Sequence, residues 1–285
     1  MSAVHIITDS TADLSRELLE ASGVRVVPLL VELEGQTFAD GVELDTEHLF
    51  ALVEQHRRLP KTASPSPGAF KEAFEAATAN GDHALYIGIS TQFSATVQNA
   101  RLAADMLPPG SVTVIDSENL STGIGLQVLY ACDLARQGLG PAEIAAAVQQ
   151  ARPKVRTAFM IDTLDYLHMG GRCSGVQALV GSLLKLRPII AVTGGAMGVA
   201  AKVRGARQKG LDWMLERFAE DARAGLVRPE RVFLTHTGVH EDAVYMAEAV
   251  RRIMPDVQQV LETRAGAVVA SHCGPGTIGI LYMVK

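Results

Sequence analysis

Apolar and polar positions along the first half of the chain follow two alternating registers. Ala3–Thr8, Val24–Val31, Ala84–Ser90 and Val112–Asp116 are short, nearly continuous runs of aliphatic and β-branched residues. Such runs predict strands of a parallel sheet that is covered on both faces. Asp13–Ser22, Thr46–Arg58, Pro67–Asn80, Ser94–Leu107 and Ser121–Gln137 instead place apolar residues at helical spacing. Strands and helices in alternation predict an α/β layered domain. Ser66-Pro67 sets a proline at a first helical position, where its missing N–H is not needed.

The second half has a different grain. Arg156–Ile161, Pro188–Val192, Val199–Val203, Val232–Thr235, Val257–Thr263, Val268–Ser271 and Ile278–Met283 read as strands, and Gly194-Gly195-Ala-Met-Gly198 as a hairpin turn joining two of them. Helices are expected over Gly175–Leu184, Gly205–Arg223 and His240–Met254. The expected fold class is α/β in two domains, a division that suits 285 residues. Residues 1–152 would carry a mostly parallel sheet with helices on both faces, and residues 153–285 a mixed sheet with helices, the boundary falling near Arg152-Pro153.

Composition narrows the function. Hydrophobic residues at 48% and charged residues at 20% suit a globular chain with a large core. The balance of 26 basic against 31 acidic residues gives a net charge of −5, the wrong sign for non-specific nucleic-acid binding. The apolar run at the amino end stops at Asp9, too soon for a signal peptide. Gly175–Leu184 stops at Lys185, short of the roughly 20 residues that span a bilayer. A cytoplasmic protein is expected. Cys132, Cys173 and Cys273 are widely spaced with no CxxC, so neither a zinc site nor a disulfide framework is indicated.

Nucleotide fingerprints are missing. The first strand is followed by Thr8-Asp9-Ser10-Thr11 rather than GxGxxG, no GxxxxGK[ST] occurs, and Gly123-Ile-Gly125 reads as close helix–strand packing. Two hydroxyl-rich loops carry more chemistry. Thr62-Ala-Ser-Pro-Ser-Pro-Gly68 leads into a helix, where exposed N–H groups and the helix dipole favour an anion; a rigid N-cap explains it equally. Gly88-Ile-Ser-Thr-Gln-Phe-Ser94-Ala-Thr96 stands at the carboxyl end of a strand, the edge where open α/β sheets bind ligands, or it caps the next helix. Gly170-Gly171-Arg172 permits a left-handed helix cap, with Arg172 on the last carbonyls or on a ligand. His272-Cys-Gly-Pro-Gly276 reads as a strand ending in a tight turn, its imidazole either structural or a donor to a carboxylate. His236 and His240, near Glu241 and Asp242, have the spacing of metal ligands on a helix, but Thr237-Gly238 breaks that helix. They read as a strand end and a cap, with no metal expected.

In their order along the chain these motifs resemble those of the DegV family of lipid-binding proteins. The carrying segments are Ile7-Thr-Asp-Ser-Thr-Ala-Asp-Leu14, Thr62-Ala-Ser-Pro-Ser-Pro-Gly68, Ile89-Ser-Thr-Gln-Phe-Ser-Ala-Thr96 and Val114-Ile-Asp-Ser117. Asp162-Thr-Leu-Asp-Tyr-Leu167, Gly170-Gly-Arg-Cys-Ser174, Arg187-Pro-Ile-Ile190 and His272-Cys-Gly-Pro-Gly276 complete the set. The resemblance implies two α/β domains with a long-chain fatty acid such as palmitate held between them. It implies no cofactor and no turnover by the chain itself. A separate ATP-using fatty acid kinase subunit would phosphorylate the presented carboxylate, the acyl phosphate would enter phospholipid synthesis, and a transient membrane contact is compatible with that role.

Carried over by position, Thr62, Ser94 and His272 would bind the carboxylate, with Arg172 as a secondary ligand. Ala95 stands where the family commonly has glycine, Val97 where an aromatic is usual, and His168-Met169 where a basic pair is frequent. The competing reading is a serine hydrolase or acyltransferase built on Ser94 and His272 with Asp9 or Asp116 as orienter. Gly88-Ile-Ser90-Thr-Gln92 lacks the second glycine of a nucleophile elbow, which counts against it.

Overall fold

The structure is a computed structural model and describes residues 3–172 and 186–285; the expected helix Gly175–Leu184 and Cys173 lie outside them. It forms two α/β domains. The first is built on a four-stranded parallel sheet from β1 (Val4–Asp9), β2 (Arg25–Val27), β6 (His83–Gly88) and β7 (Val112–Asp116), in the order β2-β1-β6-β7. Helices α1 (Arg16–Ser22), α3 (Pro67–Thr78), α4 (Thr96–Ala104), α5 (Thr122–Arg136) and α6 (Pro141–Ala151) accompany it. Ser66 caps α3 by accepting the Ala69 N–H, ahead of the expected proline.

The expected strand Val24–Val31 is two strands. Pro28 lacks the N–H a ladder needs, and the chain turns there into β3 (Leu30–Leu33). That strand pairs antiparallel with β4 (Gln36–Ala39) and β5 (Lys61–Ala63), and α2 (Thr46–His56) lies between them in sequence. This small sheet and α6 were not predicted.

The second domain holds a mixed six-stranded sheet in the order β10-β9-β8-β13-β11-β12. Its members are β8 (Val155–Met160), β9 (Leu186–Thr193), β10 (Ala196–Arg204), β11 (Val227–His236), β12 (Gln259–Arg264) and β13 (Ile278–Val284). Only β11 and β12 pair in parallel. β9 and β10 form the expected hairpin, with both Gly194 and Gly195 at positive φ. Helices α7 (Asp165–Met169), α8 (Gln208–Arg223), α9 (His240–Ile253) and α10 (Ala267–Cys273) complete it.

α10 corrects the sequence reading, which expected a strand over Val268–Ser271. β-Branched Val268 and Val269 favour a strand locally, but Gly266 opens a helix whose first amides are taken up by two distant carboxylates. The Gly266 N–H reaches Asp13 at 2.8 Å and the Ala267 N–H reaches Asp40 at 2.7 Å. His272 therefore stands in the last turn of a helix rather than at a strand end.

α5 joins the halves. Ile124, Val128 and Leu129 pack Ile87 and Ile115 of the first sheet into one core with Phe233 and Leu281 of the second. Gly123 and Gly125 lie within this helix, as expected for close packing. A Cβ on Gly123 would come within 2.0 Å of Asn119 Oδ1, and one on Gly125 within 2.7 Å of Leu14. Asp133 on α5 also forms a two-point ion pair with Arg231 of β11, at 2.5 and 3.1 Å.

Candidate functional site

A cavity of about 100 Å³, open to solvent, lies between the two domains and is lined by residues of both. Its wall is apolar, with Leu29 and Ile89 from the first domain, Leu120 from the loop before α5, and Phe159, Met197 and Leu281 from the second sheet. The four residues nominated from sequence, Thr62, Ser94, Arg172 and His272, all line it.

They arrive from four separate segments. Thr62 sits on β5, opposite Val31. Its hydroxyl is 2.8 Å from His272 Nε2. Ser94 closes the loop after β6; its hydroxyl meets Thr96 Oγ1 at 2.7 Å and accepts the Thr96 N–H at 3.3 Å. Capping and cavity-lining are thus performed by one side chain. Arg172 donates to the Phe93 carbonyl at 3.1 Å and the Gly170 carbonyl at 2.6 Å. Among the described residues it contacts no carboxylate.

His272 is the electrostatic centre of the mouth. Burial, aided by the Arg172 charge, pushes its pKa down to about 4, so the ring is neutral near pH 7. Its Nδ1 is buried without a partner among the described residues and faces Gly170, where a Cβ would come within 2.2 Å of it. A buried N–H with no acceptor is the costlier orphan, which places the ring proton on Nε2, donating to Thr62 Oγ1. The Thr62 hydroxyl then keeps its own proton to donate into the cavity.

Of the two glycines expected to permit a left-handed cap, Gly171 adopts it at φ +69°, while Gly170 has φ −73°. Gly170 is glycine because the His272 ring occupies the space of a side chain. Arg172 does hold a helix-end carbonyl, as expected.

The hydrolase arrangement does not form. His272 Nε2 is committed to Thr62, and Ser94 bonds Thr96. Asp9 serves Thr11, Tyr86 and the Ile89 N–H, and Asp116 serves Thr91 and the Glu118 N–H. Neither carboxylate orients His272.

His236 ends β11 and His240 opens α9, as the break at Thr237-Gly238 implied. The fold still brings both to Glu262 of β12, at 2.9 and 2.6 Å. His236 Nδ1 accepts the N–H groups of Gly238 and Val239, each at 3.1 Å. The ring proton is therefore on Nε2, which donates to Glu262. In this arrangement His236 offers no lone pair at Nε2, and the three side chains hold one another.

The cavity thus sets an apolar wall beside the Thr62 and Ser94 hydroxyls, the Arg172 guanidinium and a neutral imidazole. Comparison with known proteins places the chain in a family. The profile of the DegV family matches residues 3–285, and the chain belongs to that family. A DegV domain-containing protein of Deinococcus radiodurans is 38% identical over 282 residues, covering 98% of this chain and 97% of that protein. A fatty-acid-binding DegV protein of Thermus thermophilus superposes with a TM-score of 0.93 at 34% identity, covering 99% of this chain and all of that one. DegV of Bacillus subtilis, described as a fatty acid binding protein, gives 0.91 at 30% identity, with both chains covered in full.

Proposed function

We propose that this chain binds a long-chain fatty acid in the cavity between its two domains and grips the carboxylate with Ser94 and with Thr62, whose hydroxyl His272 holds in place, with Arg172 beside them. The observation that carries this reading is the chemistry of the cavity: an apolar wall, with hydroxyls beside a neutral ring and a cation that, among the described residues, contacts no carboxylate. The fatty-acid-binding relatives from Thermus thermophilus and Bacillus subtilis support it. So does a stearic-acid-binding protein of Eubacterium ventriosum at 25% identity and a TM-score of 0.86.

The energetics agree. A tail of roughly 16 carbons carries about 14 methylenes, each worth ~0.8 kcal/mol when buried, or about 11 kcal/mol gross before the entropy of association. A buried carboxylate needs hydrogen bonds. The Thr62 and Ser94 hydroxyls supply them while the Arg172 guanidinium offsets the charge. No cofactor enters this scheme. In this reading the two lobes divide at Arg152-Pro153, and the chain works in the cytoplasm. Its resemblance to the carrier of bacterial fatty acid kinase supports a further step, presentation of the carboxylate to a separate ATP-using subunit that makes the acyl phosphate.

Native mass spectrometry of protein purified without added lipid should show a mass increment that organic extraction releases as a long-chain acid. Thr62→Ala and Ser94→Ala should each weaken retention about tenfold, the effect of one charge-assisted hydrogen bond. Unchanged binding in both variants would remove those residues from the site. Acyl phosphate formed with ATP and a cognate kinase subunit tests the presentation step separately.

A further inference from the structure

α10 is seven residues long and belongs to the C-terminal part of the chain, yet its ends are held by side chains from the first 62 residues. At its start, Asp13 Oδ1 takes the Gly266 N–H at 2.8 Å, Asp40 Oδ1 takes the Ala267 N–H at 2.7 Å, and the Thr46 hydroxyl donates to the Ala265 carbonyl. At its end, His272 donates to Thr62. The two carboxylates bracket Gly266 closely: a Cβ there would lie 3.0 Å from Asp40 Oδ1 and 3.3 Å from Asp13 Oδ1. Asp13 itself adopts a left-handed backbone (φ 50°), and its second oxygen is anchored by the Ser121 hydroxyl at 2.5 Å.

Both carboxylates are almost fully buried, at 5% and 2% exposure for Asp13 and Asp40. Burial is also the main reason that both pKa values rise. A Ser or Asn would cap the same amides without burying an ionisable group. A carboxyl offers two acceptor oxygens, and Asp13 uses both, one on the Gly266 N–H and one on the Ser121 hydroxyl. A helix of two turns does not hold its shape unaided, so a shift at its first turn is carried directly to its last.

We propose that Asp13 and Asp40 are positioning residues for the head-group site: by fixing the first turn of α10 they set the His272 ring against Thr62. The assignment concerns the ligand-free geometry and rests on the fatty-acid reading only for its effect on affinity.

The test uses ¹⁵N-histidine NMR on the full-length, ligand-free protein with Asp13→Asn and Asp40→Asn. The control is Asp133→Asn, which removes a carboxylate that also bridges the two domains but touches neither α10 nor the cavity. Both test variants should move the His272 ring resonances and its titration midpoint, and weaken fatty-acid retention about tenfold. Asp133→Asn should lower the melting temperature and leave both unchanged. Gly266→Ala keeps both charges but crowds Asp40, and should shift the same resonances if an aspartate variant fails to fold.

Unmoved His272 signals in folded Asp13→Asn, Asp40→Asn or Gly266→Ala protein overturn the proposal. Equal shifts in Asp133→Asn do so as well. Moved signals with unaltered fatty-acid retention uphold the positioning role and count instead against the His272–Thr62 pair as part of the carboxylate grip.

Discussion

The wall of the cavity and its mouth are built by opposite strategies. The wall comes from the second sheet, from the loops around it and from α10, with Phe159, Met197, Leu281, Val268 and Val269 among its members. The mouth comes from single polar side chains on β5, on the loop after β6, after α7 and on α10. No two of these four are neighbours in the chain. A wall of this kind supplies strong, undirected attraction for a tail. In the proposed reading, the mouth would supply little net energy and would set which end of the ligand lies there. Changes to the wall should therefore alter how much is bound, and changes to the mouth how it is held.

Blocking the wall should have the largest effect. Leu120→Trp, aimed into the channel, should displace about five methylenes, close to 4 kcal/mol and roughly a thousandfold in affinity. The melting curve without ligand should remain near wild type. Titration with a fluorescent fatty acid reads the affinity, and retained binding would mean that the tail does not pass Leu120.

The mouth should reveal itself next, in acid. A folded pKa of about 4 lies below the value near 6.5 expected of His272 in the unfolded chain, so between these limits the unfolded state binds more protons. The stabilisation from keeping the ring neutral is fully present above the unfolded pKa and is lost as pH falls toward 4, to a total of roughly 3 kcal/mol. The raised carboxyls of Asp9, Asp13 and Asp40 act in the opposite sense over the same range. The comparison that isolates the histidine is therefore wild type against His272→Gln. Urea denaturation at pH 7 and pH 4.5 should show a smaller acid penalty in the variant, and equal penalties would contradict a buried neutral ring.

Gly170→Ala is a smaller perturbation at the same place. The new methyl would overlap His272 Nδ1 and force the ring away from Thr62. Overpacking of this kind costs about 1–3 kcal/mol. Thermal melts should fall accordingly and the fatty acid should bind about tenfold more weakly; an unchanged melt and affinity would show that the ring has room to move.

The smallest effect is expected at a residue that looks reactive and belongs to the wall. Burial pushes the Cys273 thiol up to about 12, which leaves almost no thiolate at neutral pH. Alkylation with iodoacetamide followed by peptide mass analysis should leave Cys273 unmodified in the folded protein. Rapid labelling there would mean that the channel opens to water near α10.

How much of this was readable beforehand follows the same division. β1, β6 and β7 were legible because a strand buried on both faces must be apolar throughout, and Ser66-Pro67 marked a helix start by local hydrogen-bond chemistry. The hydroxyl loops containing Thr62 and Ser94 stood out as unusual lead-ins to helices, although capping explained them equally well. α10 was misread because its two valines speak for a strand, while the carboxylates that make it a helix lie more than 220 residues away in sequence. The close approach of His236, His240 and Glu262 was equally invisible, since it needs β11 and β12 to pair.

The amino-acid sequence by itself determined the α/β layering, the strands β1, β6 and β7 with the helices between them, and the list of polar groups at the cavity. These follow from periodicity, proline and capping, all of which act within a few residues. Only the tertiary structure decided that Thr62 would meet His272, that Gly170 would face an imidazole, and that Val268 would lie in a helix. The reason is physical. Desolvation, hydrogen bonding and packing depend on which groups are brought within a few ångströms, and for every pair at this mouth that separation is set by chain segments far apart in sequence.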